Sequence, residues 1–213
     1  MNANGSLPHV HAVVLAAGFS SRLGRPKALA RVRSLTLLRR TLAVVARLSP
    51  AKIIVVLPPQ AVRYRIEARG LKVAFVANSN RAAGLSSSVH RGIAQARYST
   101  ALLLLPVDLA GLKRRDLARL ISRWRSARRC VIARRIDLPN GRSQAAIPLI
   151  LPRWLYPRAL AVTGDIGLRE LVNGLPSRQR VLLELPSAAL DVDTPQDLRT
   201  ARSRLAPNSQ TGF

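Results

Sequence analysis

A short apolar run that ends at a glycine is the feature that most restricts the fold of this chain. Residues 10–17 read V-H-A-V-V-L-A-A, and Gly18 follows directly. A nearly continuous hydrophobic run of this length, closed by glycine, is typical of a strand buried on both faces of a parallel sheet. The loop after such a strand lies at the carboxyl edge of the sheet, where open α/β folds bind their ligands.

The loop after this run carries the groups that an anion-binding site needs. Gly18 and Gly24 let backbone N–H groups approach an anion closely, and Ser20, Arg22 and Lys27 add hydroxyl, guanidinium and ammonium donors. The spacing matches neither the Walker phosphate loop nor the dinucleotide-binding glycine motif. The residues alone leave two interpretations open, a phosphate-binding loop or a plain surface connection.

Segments with strand and helix spacing alternate along the rest of the chain. This alternation predicts a three-layer α/β/α sandwich with a mainly parallel sheet. Strands are predicted at residues 10–17, 52–57, 72–77, 101–105, 130–134 and 180–185, and helices at 35–48, 60–68, 87–97, 113–127, 152–161, 165–173 and from Thr194 onward. Residues 145–151 are a further candidate strand, interrupted at Pro148. We expect one domain over residues 10–205, with flexible ends at 1–9 and 206–213.

The charge of the chain is extreme but evenly spread. The 213 residues include 35 Lys and Arg against 10 Asp and Glu, a formal net charge of +25. Such a field attracts polyanions, including nucleic acid, although scattered arginines are also typical of solvated helix faces. Because there is no dense basic tail and aromatic residues make up only 4% of the chain, nucleic-acid binding is the less favoured interpretation.

Cysteine usage and hydropathy exclude further classes. Cys130 is the only cysteine, which excludes an intrachain disulfide framework and a cysteine-based zinc site. No apolar run approaches the length of a membrane span, and the first residues lack the basic start and apolar core of a signal peptide. We therefore expect a cytoplasmic protein with no membrane partner.

Two acidic segments are conspicuous in so basic a chain. Asp108 ends the apolar segment L-L-L-L-P-V-D, so its carboxylate is expected at the same sheet edge as Gly18. Asp191 and Asp193 alternate in D-V-D, an arrangement that projects two carboxylates to one side of an extended segment. Together they predict a site for a magnesium ion that bridges nucleotide phosphates. The alternatives are a helix cap at Asp108 and a capped turn with solvated aspartates at 191–193.

These elements, in this order, resemble one family. L-A-A-G-F-S-S-R-L-G-R-P-K is similar to the signature loop of nucleotidyltransferases that load a nucleoside monophosphate onto a phosphorylated acceptor. D-V-D-T-P-Q-D-L, G-L-S-S-S after Asn78, and T-G-D-I-G-L-R resemble further elements of the same enzymes. The resemblance is strongest to the molybdenum cofactor cytidylyltransferases. Their guanylyl-transferring relatives more often read L-A-G-G, so Ala17 favours the cytidylyl branch.

The resemblance implies a Rossmann-like sheet of the nucleotide-diphospho-sugar transferase type and a definite reaction. CTP would donate a cytidylyl group to the phosphorylated pterin of the molybdenum cofactor, with Mg²⁺ and release of pyrophosphate, and a molybdoenzyme would receive the product. Catalytic roles fall to Lys27, Arg22 and Asp108, and metal ligation to Asp108 and Asp193 with Asp191 in support. The implied nucleotide-binding residues are Leu15, Ala16, Ala17, Gly18, Ser20, Arg22, Gly24, Lys27, Asn78, Gly84, Ser86, Ser87 and Ser88. The implied acceptor-binding residues are Gly164, Asp165, Gly167 and Arg169.

The chain departs from the family pattern at four positions. Leu109 and Ala110 follow Asp108 where the family has a small residue and proline, Arg81 stands where tryptophan is common, and Ala146 replaces a frequent glycine. Two alternatives stay open besides the nucleic-acid binding suggested by charge alone, and these departures motivate the second of them. One is transfer from another triphosphate, such as GTP or UTP, or to another phosphorylated acceptor. The other is a catalytically degenerate chaperone or adaptor for a molybdoenzyme.

Overall fold

A mixed sheet with helices packed on both faces forms the body of the molecule. The computed structural model describes residues 7–206. The strands are β1 (Leu7–Leu15), β2 (Arg31–Val32), β3 (Leu35–Thr36), β4 (Pro50–Leu57), β5 (Ala74–Ala77), β6 (Ala101–Pro106), β7 (Val131–Asp137), β8 (Ser143–Pro152) and β9 (Arg180–Leu183). The helices are α1 (Leu37–Ala46), α2 (Val62–Ile66), α3 (Leu85–Gln95), α4 (Arg114–Ser126), α5 (Tyr156–Ala161), α6 (Gly167–Asn173) and α7 (Pro195–Arg204). The predicted three-layer α/β/α architecture is confirmed.

The seven-stranded sheet has the order β5-β4-β1-β6-β8-β7-β9. β1 lies inside it and pairs in parallel with β4 and β6, with Val13 opposite both Ile54 and Leu104. β8 runs antiparallel to both of its neighbours, so the sheet is mainly parallel, as predicted. β1 begins at Leu7, before the predicted start at Val10, and the terminal segments 1–6 and 207–213 lie outside the described residues.

Alternate side chains of the central strands build two separate cores. Val14 and Leu103 belong to the cluster beneath α1 and α4, whereas Val13 and Leu104 belong to the cluster beneath α3, α5 and α6. All four side chains are at most 1% exposed. Truncating one of these buried leucines to alanine costs about 2–5 kcal/mol. The buried-strand prediction for the first apolar run is therefore confirmed.

A third, small cluster lies where the site is assembled. Leu23 from the glycine loop and Val32 from β2 are buried against Ala110 and Val192, which are neighbours of the two acidic segments. α7 closes this cluster with Leu198. Apolar packing therefore joins the glycine loop to both acidic segments.

Some element boundaries differ from the sequence expectations. The helix expected from residue 35 begins at Leu37, because Leu35 and Thr36 pair with β2 and the Thr36 side chain caps the helix. Residues 60–68 contain only the short helix α2. The expected interruption at Pro148 is a change of register inside the longer strand β8, where Ile147 and Pro148 face no residue of β7.

The predicted amino-terminal cap of α7 is confirmed. The Thr194 hydroxyl accepts a hydrogen bond from the Asp197 N–H, and the Asp197 carboxylate accepts one from the Thr194 N–H. Such a reciprocal cap stabilises a helix by about 1 kcal/mol. It holds the segment that carries Asp193 in a fixed place. Across residues 7–206, no helix has the length and apolarity needed to cross a membrane.

Candidate active site

The glycine loop leaves β1 and folds back on itself. Ala16 and Ala17 are buried, and a short helical turn, Ser21–Leu23, follows between two residues with positive φ, Ser20 at 57° and Gly24 at 70°. The Ser20 hydroxyl accepts a hydrogen bond of 2.9 Å from the backbone N–H of Lys27. This contact closes the loop and aims Lys27 at the sheet edge.

Backbone pairing brings the two acidic segments together. The N–H of Val192 donates to the carbonyl of Asp108 at 3.0 Å, and the N–H of Ala110 donates to the carbonyl of Leu190 at 3.0 Å. These bonds form a short antiparallel bridge after β6. Asp108, Asp191 and Asp193 each place a carboxylate oxygen within 4.8 Å of the others. The sequence prediction that these segments meet at one edge is confirmed.

The Lys27 ammonium lies between two of these carboxylates. Its Nζ is 3.0 Å from Asp108 Oδ2 and 2.5 Å from Asp193 Oδ1. Arg22 Nη2 lies 2.8 Å from the other oxygen of Asp193. Burial of the ammonium opposes its charge, but the two carboxylates outweigh that effect and raise the pKa of Lys27. Lys27 is therefore a fixed cation at the centre of the site.

Asp191 is the unpaired member of the acidic group. It is exposed, and it makes no ion pair within residues 7–206. Although the residue as a whole is exposed, neighbouring protein groups displace part of the water around its carboxylate, and this loss, together with repulsion from Asp108 and Asp193, raises the pKa of Asp191 to about 6. In contrast, hydrogen bonds led by the Thr194 hydroxyl lower the pKa of Asp197, which serves the α7 cap. The predicted division between ligand aspartates and a capping aspartate is consistent with this geometry.

The donor set of the acidic group fits a hard divalent cation. Magnesium and manganese prefer carboxylate oxygens, and three carboxylates that converge within 4.8 Å supply them. Lys27 and Arg22 already neutralise part of their negative charge. The arrangement can therefore hold a metal together with an anion such as a polyphosphate.

A cavity of about 350 Å³ opens over the glycine loop. We call it the first cavity. The predicted site residues that line it are Leu15, Ala16, Ala17, Gly18, Ser20, Arg22, Lys27, Gly84, Ser88, Asp108, Asp165 and Asp193. Most of the predicted nucleotide-binding set thus surrounds one space. Gly24 does not line it and instead ends the loop turn with its positive φ.

The polar residues at the start of α3 mostly bond to one another. Asn78 is fully buried, and its Nδ2 donates to the hydroxyls of Ser87 at 2.8 Å and Ser88 at 3.0 Å. Ser86 and Ser87 donate to carbonyls of the preceding turn. Of these predicted nucleotide-binding residues, only Ser88 lines the first cavity. Asn78, Ser86 and Ser87 lie behind its wall.

Arg81 has a role that the sequence did not reveal. Its Nε donates to the carbonyl of Ala17 at 2.6 Å, and its Nη2 donates to that of Gly18 at 3.3 Å. The guanidinium also stacks 4.2 Å from the centre of the Phe19 ring, which is 62% exposed. Arg81 thus holds the glycine loop by its backbone.

A second cavity, of about 220 Å³, adjoins the first across Asp108. Its walls are largely apolar, and two arginines reach it, Arg134 from β7 and Arg169 from α6. Of the predicted acceptor-binding residues, Asp165 and Arg169 line this space, whereas Gly164 and Gly167 do not. Ala146, one of the departures from the family pattern, is part of the wall.

Two backbone segments, residues 84–86 and 164–165, pack closely against each other between the two cavities. Asp165 Oδ1 accepts a hydrogen bond of 2.8 Å from the Leu85 N–H, and the Gly164 carbonyl accepts one of 3.0 Å from the Ser86 N–H. Gly84 has a φ of 81°, and a Cβ there would lie 2.7 Å from the Gly164 carbonyl carbon. Gly84, Gly164 and Asp165 therefore fix the start of α3 between the two cavities.

Arg134 is a second site residue whose role sequence reasoning missed. It is partly buried in the second cavity, and its side chain makes no hydrogen bond or ion pair to the residues described. Burial lowers the pKa of Arg134, and the charges of Asp191 and Asp108 oppose that shift. In the sequence, Arg134 is one arginine among many, at the end of a predicted strand.

Comparison with known proteins identifies a matching family and two similar curated proteins. Residues 12–181 match the family model described as the MobA-like NTP transferase domain. The chain is 31% identical over 173 residues to nicotine blue oxidoreductase of Paenarthrobacter nicotinovorans, an alignment that covers 80% of this chain and 84% of that protein. It is 32% identical over 134 residues to phosphoenolpyruvate guanylyltransferase of Conexibacter woesei, which covers 58% and 55% respectively.

Solved structures share the fold over nearly the whole chain. Rv0371c from Mycobacterium tuberculosis H37Rv superposes with a TM-score of 0.73 at 26% identity, covering 93% of this chain and 99% of that one. The 2-C-methyl-D-erythritol 4-phosphate cytidylyltransferase of Thermus thermophilus superposes with a TM-score of 0.66 at 22% identity, covering 91% and 97%. The second similarity is one of fold alone.

Proposed function

The chain belongs to the MobA-like NTP transferase family, and we propose that it transfers a nucleoside monophosphate from a triphosphate to the phosphate of an acceptor. One observation carries the proposal. The Lys27 ammonium contacts both Asp108 and Asp193 at the edge of a cavity formed by the glycine loop. This geometry supports a site for a metal-bound triphosphate.

The proposed reaction is a displacement at phosphorus with no redox change. An oxygen of the acceptor phosphate forms a bond to the α-phosphorus of the triphosphate. The bond from the α-phosphorus to the α–β bridging oxygen breaks, and its electron pair leaves on pyrophosphate. Because the attacking phosphate is already ionised near neutral pH, the reaction needs no strong protein base. Positioning and charge neutralisation carry the catalysis.

The residues divide this work between them. The Lys27 ammonium has three donors and uses two on Asp108 and Asp193, which leaves one for a phosphate oxygen. Arg22, which lies at the mouth of the first cavity, adds a second cation for the leaving pyrophosphate. A divalent metal on Asp108 and Asp193, with Asp191 in support, would neutralise phosphate charge when bound. Mg²⁺ is the proposed ion.

For the nucleotide and the acceptor, we propose CTP and the phosphorylated pterin of the molybdenum cofactor. Ala17 in the signature loop favours cytidylyl over guanylyl transfer, and the T-G-D-I-G-L-R element supplies Asp165 and Arg169 to the second cavity. The similarity to a protein named phosphoenolpyruvate guanylyltransferase supports GTP with a smaller phosphorylated acceptor as the second candidate.

A substrate panel tests the proposal. The purified protein is mixed with Mg²⁺ or Mn²⁺ and each of CTP, GTP, UTP and ATP, and thermal shift ranks their binding. Pyrophosphate release is then measured with molybdopterin and with phosphoenolpyruvate as acceptors, and Asp108→Asn serves as the inactive control. We expect CTP to give the largest shift and pyrophosphate to appear only with an acceptor.

Three outcomes would change the assignment. Turnover with GTP and phosphoenolpyruvate would replace the first substrate pair with the second. Nucleotide binding without turnover on any acceptor would favour a chaperone or adaptor role. Failure of every triphosphate to bind in the presence of metal would overturn the transferase proposal itself.

A further inference from the structure

The second cavity contains an arginine whose hydrogen-bonding capacity is unused. Arg134 is partly buried there, and its side chain has no hydrogen-bond or ion-pair partner within residues 7–206. Other partly buried arginines in the described part of the chain are bonded: Arg39 and Arg40 donate to carbonyls, and Arg81 holds the glycine loop. Arg134 therefore differs from the structural arginines of this chain.

A partly buried guanidinium without a protein partner is available to a ligand. The group carries five donors and a permanent charge, and its nitrogens are not among the buried polar atoms that lack a partner, so they stay open to solvent and to the contents of the cavity. The charges of Asp191 and Asp108 act on Arg134, but neither carboxylate comes within 4.0 Å as an ion pair. Arg134 thus keeps its donors free in a cavity whose other walls are mostly apolar.

The strand geometry places this arginine toward the reacting centre. On β7 the pairing partner changes from Leu149 for Ala133 to Ala146 for Arg134, because β8 carries two extra residues at that point. Ile136, two residues further along β7, lines the same cavity as Arg134. Asp108 lines both cavities. A ligand held by Arg134 in the second cavity would therefore lie next to a ligand of the first cavity, beside Asp108.

An acceptor phosphate in this position faces an electrostatic barrier. It carries negative charge and must approach the α-phosphorus beside Asp108 and Asp191. Like charges at such distances repel. A guanidinium on the acceptor side supplies the compensating charge and binds two phosphate oxygens at once.

We propose that Arg134 binds the attacking phosphate of the acceptor and holds it beside the acidic group. The inference rests on the proposed nucleotidyl transfer and deepens it by naming the group that receives the nucleophile. Arg169 reaches the same cavity from an exposed position on α6, so it contacts a more distant part of the acceptor. The substrate class is a phosphate monoester with an apolar or planar body that fits the walls of the second cavity.

The test measures phosphate binding and nucleotide binding on the same variants. Arg134→Met and Arg134→Lys are compared with wild type and with Arg135→Met. The control removes the same charge one residue away, where the side chain pairs with Asp137 and Glu184 on the surface. Phosphoenolpyruvate and glycerol 3-phosphate are titrated by ³¹P NMR, and CTP with Mg²⁺ is followed by thermal shift.

We expect Arg134→Met to weaken binding of both phosphate monoesters by about 10–100-fold, the usual loss for a hydrogen-bonded charge pair. Arg134→Lys regains only part of that loss, because an ammonium cannot bind two oxygens in a fork. The CTP concentration that gives half of the maximal thermal shift stays within about 2-fold of the wild-type value. Arg135→Met behaves as wild type in both measurements. With an active acceptor, the change appears in the acceptor KM and not in the CTP KM.

The two proposals fail in different ways. If wild type binds neither phosphate monoester, or if Arg134→Met binds them as wild type does, the role of Arg134 is overturned while CTP binding still supports the transferase. If CTP with metal does not bind to wild type, the proposed function fails first. A parallel loss in Arg135→Met would indicate a general charge effect and overturn the specific role.

Discussion

The two cavities on either side of Asp108 are lined by different kinds of groups. The first is made of loop backbone, small side chains and one lysine held between two carboxylates. The second is made of side chains from separate strands and a helix, with an arginine that has no partner among the residues described. Backbone N–H groups and small residues suit the phosphates of the proposed triphosphate. Side chains that come from separate elements suit the second ligand, the proposed acceptor.

The acidic group is what the two cavities have in common. Asp108 lines both, Asp193 faces the first cavity and Asp191 faces the second. A change at the centre should therefore affect both ligands, whereas a change in either wall should affect one.

Replacement of Lys27 should have the largest effect. Lys27→Met removes the cation shared by Asp108 and Asp193 and the donor proposed for the phosphate. We expect kcat for pyrophosphate release to fall by about 10²–10³-fold with any acceptor, the usual cost of losing one preorganised charge in a transition state. The measurement is pyrophosphate release under saturating CTP and metal.

The control for this prediction is Lys72→Met, which removes a lysine at an exposed position away from both cavities. It should keep wild-type activity. Circular dichroism establishes that both variants are folded. A folded Lys27→Met protein with nearly normal turnover would refute the role given to the lysine.

The contrast between the cavities also explains what the sequence could predict. The glycine loop, Lys27 and the aspartates are carried by contiguous motifs whose chemistry is visible in the residues themselves, and the parallel strands bring them to one edge. Pro148 marks the change of register between β7 and β8 in the sequence, but nothing in the sequence indicates that Arg134 lies opposite this change and lines the second cavity. Asp165 caps a helix that begins 80 residues earlier in the chain, a contact set by tertiary structure alone.

Gly84→Ala should have the next largest effect, because Gly84 packs closely against the backbone of Gly164 between the two cavities. Its φ of 81° is unfavourable for alanine, and the new Cβ would lie 2.7 Å from a backbone carbon of Gly164. We expect the free energy of unfolding to fall by about 3 kcal/mol, which corresponds to a fall in melting temperature of about 6–12 °C. Binding of CTP and of phosphoenolpyruvate should weaken together.

Gly141→Ala separates backbone strain from collision. Its φ of 75° is similar, but a Cβ there meets no atom within 4 Å. We expect the free energy of unfolding to fall by about 1 kcal/mol and the melting temperature by about 2–4 °C. Both ligands should bind as they do to wild type. If the two variants melt at the same temperature, the close approach at Gly84 contributes nothing.

Arg81→Ala should weaken one cavity and spare the other. The change removes the two hydrogen bonds to the Ala17 and Gly18 carbonyls and the stacking on Phe19. We expect CTP affinity to fall by about 10-fold, equivalent to about 1.4 kcal/mol, while phosphoenolpyruvate binding stays unchanged. Thermal shift and ³¹P NMR titration give the two values.

Arg97→Ala is the matched control, because Arg97 stacks 4.7 Å from the centre of the Tyr98 ring on the surface. It loses a similar cation–π contact without touching either cavity. Equal loss of CTP affinity in both variants would assign the effect to net charge, and equal loss of both ligands in Arg81→Ala would remove the distinction between the cavities.

The smallest effect is expected at Asp191, and metal should reduce it. In the folded protein the pKa of Asp191 is raised to about 6 from 3.8, chiefly by loss of water and then by repulsion from Asp108 and Asp193. The folded state therefore binds the proton more tightly than the unfolded chain does, so this carboxylate lowers stability as pH rises from about 4 to about 6. Asp191→Asn removes that penalty. Because Asp191 is exposed, solvent screens the repulsion, and the expected gain at pH 7 in chelator is only about 2–4 °C, or about 1 kcal/mol.

Near pH 4 the gain should be small, because the carboxyl group keeps its proton in the folded state there. The control is Asp137→Asn, whose carboxylate has its pKa lowered first by the Ser143 hydroxyl and then by Arg135, so its replacement should give no gain at pH 7. Adding Mn²⁺ should raise the melting temperature of wild type more than that of Asp191→Asn, because the variant has lost a ligand oxygen. If Asp191→Asn melts no higher than wild type in chelator, the carboxylates do not repel one another enough to need a cation. If Mn²⁺ stabilises both proteins equally, the metal rests on Asp108 and Asp193 alone, and Asp191 belongs to the second cavity as part of its wall.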